Sequence, residues 1–277
     1  MWARRFALLG ALVLISACAP SAAVTAQFIP GASLHAITVG GVDRTYRLYI
    51  PKGLAPAASL VVMLHGWTGS AEQAQRQYGW NRLADSAKFV VAYPDGLGES
   101  WNSGGCCGRA SSDGVDDVGF ITAAVRDIAD NVGIDPARIY ATGISNGGMM
   151  AYKLACNSAV FAAIGPDAAT QLDACPAPRP MSVLHIHGTD DKLIRYDGQP
   201  GTAVNMETPT PPDVNAFWRA VDQCQPPATT VDGALTTSVA DCPSGRSVEL
   251  ITVAGGGHEW PSFATQRMWY FFAAHPG

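Results

Sequence analysis

The sequence predicts a single α/β domain built on a mostly parallel sheet with helices on both faces. Short apolar runs such as Leu60–His65 and Phe89–Tyr93 alternate along the chain with segments of helical periodicity such as Asp116–Val132. Strands that alternate with helices pair in parallel, because each helix crosses one face of the sheet to return the chain. The chain has 277 residues, enough for one large hydrophobic core.

The periodicity places a hairpin first, with strands Ile37–Val39 and Arg44–Ile50 joined through adjacent glycines. The remaining strands are apolar runs of five to eight residues, and the remaining helices show apolar residues at three- and four-residue spacing. The predicted strands are Leu60–His65, Phe89–Tyr93, Arg138–Ile144, Met181–His187 and Arg246–Val253, and the predicted helices are Gln73–Lys88, Asp116–Val132, Asn146–Tyr152, Pro211–Asp222 and Gln266–His275.

The N-terminal residues 1–17 are typical of an export signal. Arg4 and Arg5 precede an apolar run, Phe6–Ile15, that is too short for a stable membrane span. Small residues follow at the position where such signals are cleaved. We therefore expect this segment to be removed from the mature protein.

The sequence Ile15-Ser16-Ala17-Cys18 resembles a bacterial lipoprotein cleavage box, in which the cysteine becomes the lipidated first residue. Ordinary cleavage after Ala26 is the alternative. On the lipoprotein interpretation, residues 18–35 form a tether and residues 36–277 form one folded domain. Contact with a membrane is then expected only through the lipid on Cys18.

The composition excludes some classes of partner. The net charge is −5 and the sequence has no basic run, so nothing in it supports nucleic-acid binding. Of the seven cysteines, Cys18 falls in the proposed lipidation box, which leaves six. An even number suits disulfide pairing in an oxidising compartment, and we expect a secreted or cell-envelope protein.

The clearest chemical signal is Gly143–Gly147, which fits the pattern G-x-S-x-G between a predicted strand and a predicted helix. A serine at so sharp a turn exposes its hydroxyl at the positive end of the helix. Glycines two residues before and after it remove side chains that would collide. An ordinary glycine turn with a surface serine is the alternative, but the flanking elements favour Ser145 as a nucleophile.

Two further segments supply partners for this serine in the order Ser, Asp, His. Asp190 and Asp191 follow the strand Met181–His187, and His258 follows three glycines after a later strand. A serine hydroxyl needs a base to take its proton, and the base needs an anion that fixes its tautomer. Ser145, His258 and one of the two aspartates can supply these roles.

The histidine pair His185 and His187 also raises the possibility of a metal site. Two histidines at this spacing share one face of a strand, as in the H-x-H-x-D box of binuclear metal hydrolases. Thr189 occupies the position of the required aspartate, so we expect no metal. His65 is interpreted as a core histidine bonded to the backbone.

The loop after Leu60–His65 is expected to donate one backbone N–H to an oxyanion hole, from either Trp67 or Thr68. The residue after the nucleophile, Asn146, is expected to donate the other. Three tryptophans fall on loops near these segments and are candidates to line a substrate pocket. They are Trp67, Trp101 and Trp260.

Several motifs together resemble one family. LHGWTGS, YPDG, SWNSGGCCG, DDVGF, D-P-x-R-I-Y, TGISNGG, HGTDD and GGGHEWP are similar to those of the extracellular polyhydroxybutyrate depolymerase and feruloyl esterase family of α/β-hydrolases, over most of residues 38–273. The resemblance implies an α/β-hydrolase fold and a carboxylic ester hydrolase that needs no cofactor. It also implies Ser145 as nucleophile, His258 as base, and Asp191 as the acid, four residues after His187.

The six remaining cysteines allow fifteen pairings. Two of them flank one loop before the last predicted strand and form the preferred pair; other arrangements remain open. The preferred set is Cys224 with Cys242, then Cys156 with Cys175, which leaves Cys106 with Cys107.

We therefore expect a serine ester hydrolase acting on small-molecule or oligomeric esters of the feruloyl or hydroxyalkanoate type. No Thr/Ser/Pro-rich linker follows the predicted terminal helix Gln266–His275. We thus expect soluble or short-chain esters to be preferred over solid polymer. The alternatives are a serine peptidase of the same fold and a non-catalytic lipoprotein binding module.

Overall fold

The computed structural model describes residues 28–277. Within this range, ten strands form one sheet in the order β1-β2-β4-β3-β5-β6-β7-β10-β9-β8. The predicted signal segment, Cys18 and the first part of the predicted tether lie outside the described residues. The strands and helices have the following bounds: β1 Gly31–Val39, β2 Val42–Ile50, β3 Ala58–Leu64, α1 Ala71–Gln77, α2 Trp80–Ala87, β4 Val90–Pro94, α3 Gly108–Ser112, α4 Asp117–Val132, β5 Ile134–Ile144, α5 Asn146–Asn157, β6 Ala163–Asp167, β7 Ser182–Gly188, α6 Pro211–Val221, β8 Ala228–Asp232, β9 Leu235–Asp241, β10 Ser247–Val253 and α7 Ala264–Ala274.

The centre of the sheet is parallel and its two margins are antiparallel. Strands β4, β3, β5, β6, β7 and β10 run in the same direction. The hairpin β1–β2 closes one margin and the hairpin β8–β9 the other, both with antiparallel pairing. The predicted class, a mostly parallel sheet of the α/β-hydrolase type, is confirmed.

Helices cover both faces of this sheet. The core on one face receives α4, α5 and α6, and the core on the other receives α1, α2 and α7. The buried strand β3 supplies both: Leu60, Val62 and Leu64 face the first core, while Val61 and Met63 face the second. This alternation follows from the two-residue period of a strand. Because both faces are covered, the loops at the strand ends are left to build a site.

The structure differs from the predicted elements in two places near the N-terminus. Strand β1 begins at Gly31, so the last residues of the predicted tether 18–35 are paired with β2 instead. The single helix predicted over Gln73–Lys88 is two helices. Gly79 separates them with φ of 74°, a left-handed conformation that ends an α-helix and that glycine adopts without steric cost.

Three strands were not predicted. Strand β6, Ala163–Asp167, contains Gly165 and Pro166, which argue against a central strand when the sequence is considered alone. It is nevertheless buried throughout and pairs with β5 and β7. The hairpin β8–β9 is polar, and every residue of β8 is exposed, so it lacks the apolar pattern that marks a buried strand.

Three disulfides join the described cysteines, and they are the pairs preferred from the sequence. Cys224–Cys242 links the end of α6 to the end of β9, and Cys156–Cys175 ties α5 to the loop after β6. The third joins the neighbours Cys106 and Cys107. Such bonds are typical of proteins that fold outside the cytosol.

We expect the double variant Cys224→Ser/Cys242→Ser to unfold at lower denaturant concentration. The bond spans a sequence separation of 18 residues, and a cross-link of that length restricts the unfolded chain by about 3 kcal/mol. Urea unfolding of both proteins measures the difference. Peptide mapping without reductant must recover the two cysteines in one cross-linked pair; finding either of them bonded to another cysteine contradicts the structure.

Candidate active site

Ser145 lies at the turn between β5 and α5 in a conformation rare for a residue with a side chain. Its φ is 59° and its ψ is −126°, outside the regions that L-residues favour. Its N–H donates to the Asp167 carbonyl at the end of β6 (2.9 Å), and its carbonyl accepts from Met149 N–H in α5 (2.9 Å). The strand, its neighbour and the helix thus fix the serine, whose hydroxyl stands at the helix N-terminus.

Two glycines make this turn possible. A Cβ on Gly143 would lie 2.6 Å from the carbonyl carbon of Gly147 and 2.7 Å from the Leu64 carbonyl oxygen. A Cβ on Gly147 would collide with the carbonyl oxygens of Leu64 and His65. The spacing G-x-S-x-G is therefore a steric requirement of the close approach between this turn and the end of β3.

Asp191 is the aspartate that contacts the histidine. His258 Nδ1 lies 2.7 Å from Asp191 Oδ2, and the Asp191 side chain is fully buried. Asp190 is exposed, and its N–H donates to the Gly256 carbonyl. The carboxylate therefore accepts the Nδ1 proton of His258, which leaves Nε2 free to accept another.

Glycines also bring the histidine loop onto the aspartate loop. A Cβ on Gly188 would collide with the backbone of Gly256, so the two loops approach closer than side chains would allow. Thr189 N–H donates to the Val253 carbonyl (3.0 Å), and Gly255 N–H donates to Thr189 Oγ1 (2.8 Å). These contacts fix the separation of His258 from the strand β7 that carries the acid.

Asp191 is held ionised. Burial alone raises the pKa of this carboxyl, but hydrogen bonds from His187 and His258, the charge of His258 and the Ile194 N–H outweigh it and hold the pKa well below its ordinary value. Its Oδ1 accepts from Leu193 N–H (2.8 Å) and Ile194 N–H (3.0 Å). A carboxylate fixed at both oxygens is suited to orient an imidazole.

Ser145 and His258 line one open cavity of about 470 Å³. Trp67 and Leu193 are large apolar side chains that line it beside these two residues. The other lining residues are Gly66, Thr68, Gly69, Gln73, Tyr78, Cys107, Ile144, Thr202 and Ala203. A cavity of this size fits a substrate with one aromatic ring.

Of the three tryptophans considered for the pocket, Trp67 lines this cavity and is 45% exposed. Trp101 does not: it is fully buried, and its indole N–H donates to the His65 carbonyl (2.8 Å). Trp260 lies in a neighbouring cavity, where its indole N–H donates to Thr265 Oγ1 and its ring contacts Tyr78. The assignment of Trp101 as a pocket residue is therefore wrong, because its side chain packs in the core. Trp260 lines the adjoining cavity, which shares Tyr78 with the first, and its contact with substrate stays a prediction.

The backbone N–H groups distinguish the two oxyanion candidates on the loop after β3. Thr68 N–H already donates to the Glu99 carbonyl (2.8 Å). Within residues 28–277, Trp67 N–H has no hydrogen-bond acceptor, and neither has Asn146 N–H at the start of α5. Trp67 and Asn146 are thus the pair with donors available to a ligand.

The side chain of Asn146 holds the wall of the site. Its Oδ1 accepts from Trp101 N–H (2.7 Å), and its Nδ2 lies within hydrogen-bond distance of the Trp101 carbonyl, Ser103 Oγ and the Cys106 carbonyl. The amide is fully buried. It therefore joins the turn at Ser145 to the loop carrying Cys106 and Cys107, a role that no motif in the sequence reveals.

His65 is a core histidine. It accepts a hydrogen bond from Gly96 N–H at Nε2 (3.0 Å), so Nδ1 carries the proton and donates to the Gly66 carbonyl (2.8 Å). Burial lowers its pKa.

Among the described residues, no group of histidine, cysteine or acidic side chains is arranged to hold a metal. In the same range, no helix is long and apolar enough to cross a membrane.

Sequence similarity agrees with the geometry. The family model described as Esterase PHB depolymerase matches residues 44–197. Feruloyl esterase C of Emericella nidulans is 30% identical, over 88% of this chain and 91% of its own length. Feruloyl esterase B of Piromyces equi is 32% identical over 73% of this chain, which spans 40% of that protein. The chain belongs to the esterase family of polyhydroxybutyrate depolymerases, and it is a carboxylic ester hydrolase.

Solved structures agree on the fold. The acetyl xylan esterase from Aspergillus awamori superimposes with a TM-score of 0.68, covering 87% of this chain and 99% of its own. The sequences are 18% identical. This likeness supports the α/β-hydrolase architecture.

We expect Ser145 to react covalently with a fluorophosphonate probe, and intact-mass spectrometry to place one probe per chain. Asp191→Asn should slow labelling by about 10⁴-fold, because the histidine then rests in the wrong tautomer. Labelling should also slow toward acid pH, because a protonated histidine accepts no proton.

Asp190→Asn is the matched control and should label at the wild-type rate, since Asp190 is exposed and does not touch His258. Ser145→Ala should remain unlabelled. Equal loss of labelling in the two aspartate variants, or a probe attached to another serine, contradicts the geometry.

Proposed function

We propose that this protein is an exported serine esterase that cleaves soluble esters of the feruloyl or hydroxyalkanoate type through an acyl-enzyme. The observation that carries the proposal is the cavity that Ser145 and His258 both line, with Asp191 bonded to the far side of the imidazole (2.7 Å). A serine, a base and an oriented acid in this order are the elements of nucleophilic acyl transfer.

In the proposed mechanism, Ser145 Oγ attacks the ester carbonyl carbon while His258 Nε2 takes the hydroxyl proton. The backbone N–H groups of Trp67 and Asn146 stabilise the oxyanion of the tetrahedral intermediate. Collapse breaks the carbon–oxygen bond of the ester, and His258 returns the proton to the departing alcohol. Water then attacks the acyl group on Ser145 with His258 again as base, and the carboxylic acid leaves with the serine regenerated.

The proposal that aromatic acyl groups are accepted rests on the cavity walls. Trp67, Tyr78 and Leu193 present apolar surface beside Ser145. A planar ring packed against an indole gains contact energy beyond its buried area. This supports a phenolic acid ester somewhat more than a small aliphatic one, and the feruloyl esterase names of the relatives point the same way.

Attachment to the cell envelope through a lipid on Cys18 is part of the proposal. It is supported by the lipoprotein-type box at Ile15–Cys18 and by the disulfides, which suit an oxidising compartment. Mass spectrometry of the protein extracted from its native envelope with detergent tests it. A free N-terminus beginning at Gln27 contradicts lipidation and indicates cleavage after Ala26.

A substrate panel tests the function. We expect methyl ferulate to be hydrolysed with a higher kcat/KM than methyl acetate, a hydroxybutyrate dimer, or a peptide p-nitroanilide. Trp67→Ala should lower kcat/KM for methyl ferulate about tenfold more than for methyl acetate, the effect of losing one ring-to-ring contact. The oxyanion donor survives this change because it is a backbone N–H.

Trp260→Ala is the matched control, since Trp260 lies in the neighbouring cavity. It should leave the preference between the two methyl esters unchanged. Faster cleavage of the peptide than of every ester makes the protein a peptidase, and absence of hydrolysis across the panel makes it a binding module. Either result overturns the proposal.

A further inference from the structure

Behind the candidate acid, three buried side chains form a chain of hydrogen bonds that the proposed mechanism does not use. Tyr152 Oη lies 3.0 Å from His185 Nδ1, and His185 Nε2 lies 3.2 Å from His187 Nδ1. His187 Nε2 lies 2.8 Å from the Ile194 carbonyl oxygen and 3.4 Å from Asp191 Oδ2. Tyr152, His185 and His187 are at most 1% exposed.

When both imidazole rings are neutral, the Ile194 carbonyl at the end of this chain sets the direction of its hydrogen bonds; the Ala169 carbonyl is a further acceptor beside His185. The Ile194 carbonyl can only accept, so Nε2 of His187 carries a proton. In a neutral ring, Nδ1 of His187 must then accept from His185 Nε2–H. Burial lowers the pKa of His185 well below its ordinary value, so this ring is neutral, and its Nδ1 accepts from the Tyr152 hydroxyl.

Two contacts of His187 connect this chain of hydrogen bonds to Asp191. The Ile194 carbonyl belongs to the turn whose N–H groups, from Leu193 and Ile194, hold Asp191 Oδ1. The His187 N–H fixes that turn. The same N–H also directs its positive end toward Asp191 Oδ2, the oxygen that accepts from His258. The shorter distance is to the carbonyl, so the carbonyl is the principal acceptor and the carboxylate receives the weaker part of the bond.

We propose that His187 is a positioning residue for Asp191, and that Tyr152 and His185 hold it in the tautomer this role requires. The inference rests on the proposed function, in which Asp191 orients His258. The two histidines are therefore explained neither as metal ligands nor as filling of the core. They extend the chain of hydrogen bonds from His258 through Asp191 to Tyr152 in α5.

The proposal predicts how the pH dependence of catalysis changes when the donor is removed. A neutral N–H facing the carboxylate draws part of its negative charge away from His258. Without it, the carboxylate stabilises the protonated imidazole more strongly, so the base is lost at higher pH as the solution is acidified. The acid limb of the kcat/KM profile then moves to higher pH.

Other ionisable groups near this chain of hydrogen bonds could also affect the pH profile. Asp167 is buried at the end of β6, and burial first, then the negative charges of Asp191 and Glu259, raises its pKa well above the ordinary value. In its neutral form it adds no charge. Asp190 and Lys192 are exposed to water, which screens them. The Tyr196 ring lies 5.8 Å from His187, and its hydroxyl is bonded to Thr252 Oγ1.

The first test needs no enzymatic activity. Long-range ¹H–¹⁵N correlation spectra of the ¹⁵N-histidine-labelled wild-type protein report which ring nitrogen carries the proton. We expect His185 and His187 both to be protonated at Nε2, with assignments made from His185→Gln and His187→Gln. A proton on Nδ1 of His187 breaks the chain of donors and overturns the proposal, whatever the protein hydrolyses.

The second test compares variants on a soluble ester. His187→Leu removes the donor and should lower kcat about tenfold while changing KM less. Its acid limb should move up by about half a pH unit. His187→Gln keeps an N–H at the position of Nε2 and an acceptor for His185, and it should recover most of kcat and the wild-type limb.

Tyr152→Phe and Tyr140→Phe form a matched pair for the far end of the chain. Both tyrosines are fully buried, but within residues 28–277 the Tyr140 hydroxyl has no hydrogen-bond partner. Tyr152→Phe should lower kcat by about threefold, the effect of one neutral hydrogen bond acting at a distance, and Tyr140→Phe should leave it unchanged.

The outcomes separate the possible failures. A folded His187→Leu variant with wild-type kcat and pH profile overturns the positioning role. Equal losses of kcat in His187→Leu and His187→Gln, without a shift of the acid limb, show that His187 only packs. If His187→Leu does not fold, His187→Gln, the tyrosine pair and the spectra still decide. A wild-type protein that hydrolyses no ester contradicts the proposed function, while the spectra continue to test the chain of donors.

Discussion

The backbone conformation of Ser145 is the constraint on which the rest of the site depends. A residue with a side chain at φ of 59° is strained, and such strain persists only where the surroundings fix it. Here the fixing groups are the Asp167 carbonyl on one side and the first turn of α5 on the other. Gly143 and Gly147 then admit the end of β3 to direct contact with the turn. The loop after β3 reaches the serine because of that contact.

The other parts of the site are carried by neighbouring strands of the same sheet. Strands β7 and β10 are adjacent and parallel, so the aspartate loop and the histidine loop leave the sheet side by side. Close approach at Gly188 and Gly256 locks them together. The acid is then bonded by backbone N–H groups, by His258 and by the buried histidine of β7, so a single carboxylate joins the two loops. The geometry of the candidate site therefore depends on the order of the strands in the sheet.

The sequence could predict the parts of this arrangement that depend on local backbone chemistry. The glycine spacing around Ser145, the order of the three polar residues and the glycines before His258 all reflect local steric requirements, and each is visible in a linear pattern. The fold class followed from the alternation of apolar runs and helical periods. Strand β6 could not be predicted, because a proline in a local pattern argues against a central strand. Pro166 is tolerated here because its missing N–H faces β7. That depends on the register between the two strands, which a local sequence pattern does not contain.

Properties that depend on tertiary packing could not be predicted in this way. Trp67 and Trp101 both follow strand ends. Trp67 is partly exposed beside Ser145, whereas Trp101 is fully buried. Trp101 is held there by the Asn146 amide, which binds its backbone, and by the His65 carbonyl, which accepts from its indole N–H. The histidines of β7 likewise resemble a metal motif in sequence. Their hydrogen-bond partners in the folded protein are Tyr152, 33 residues before His185, and the Ile194 carbonyl.

In the proposed mechanism, the acyl group of an ester is transferred to Ser145 before water releases it. Rapid mixing with a p-nitrophenyl ester, acid quench and peptide mass spectrometry test this claim most directly. Acylation of Ser145 should give a burst of one equivalent of p-nitrophenol per chain, with the acyl mass on the peptide that contains Ser145. A burst of that size with the acyl mass on another residue, or with no acylated peptide at all, would contradict it.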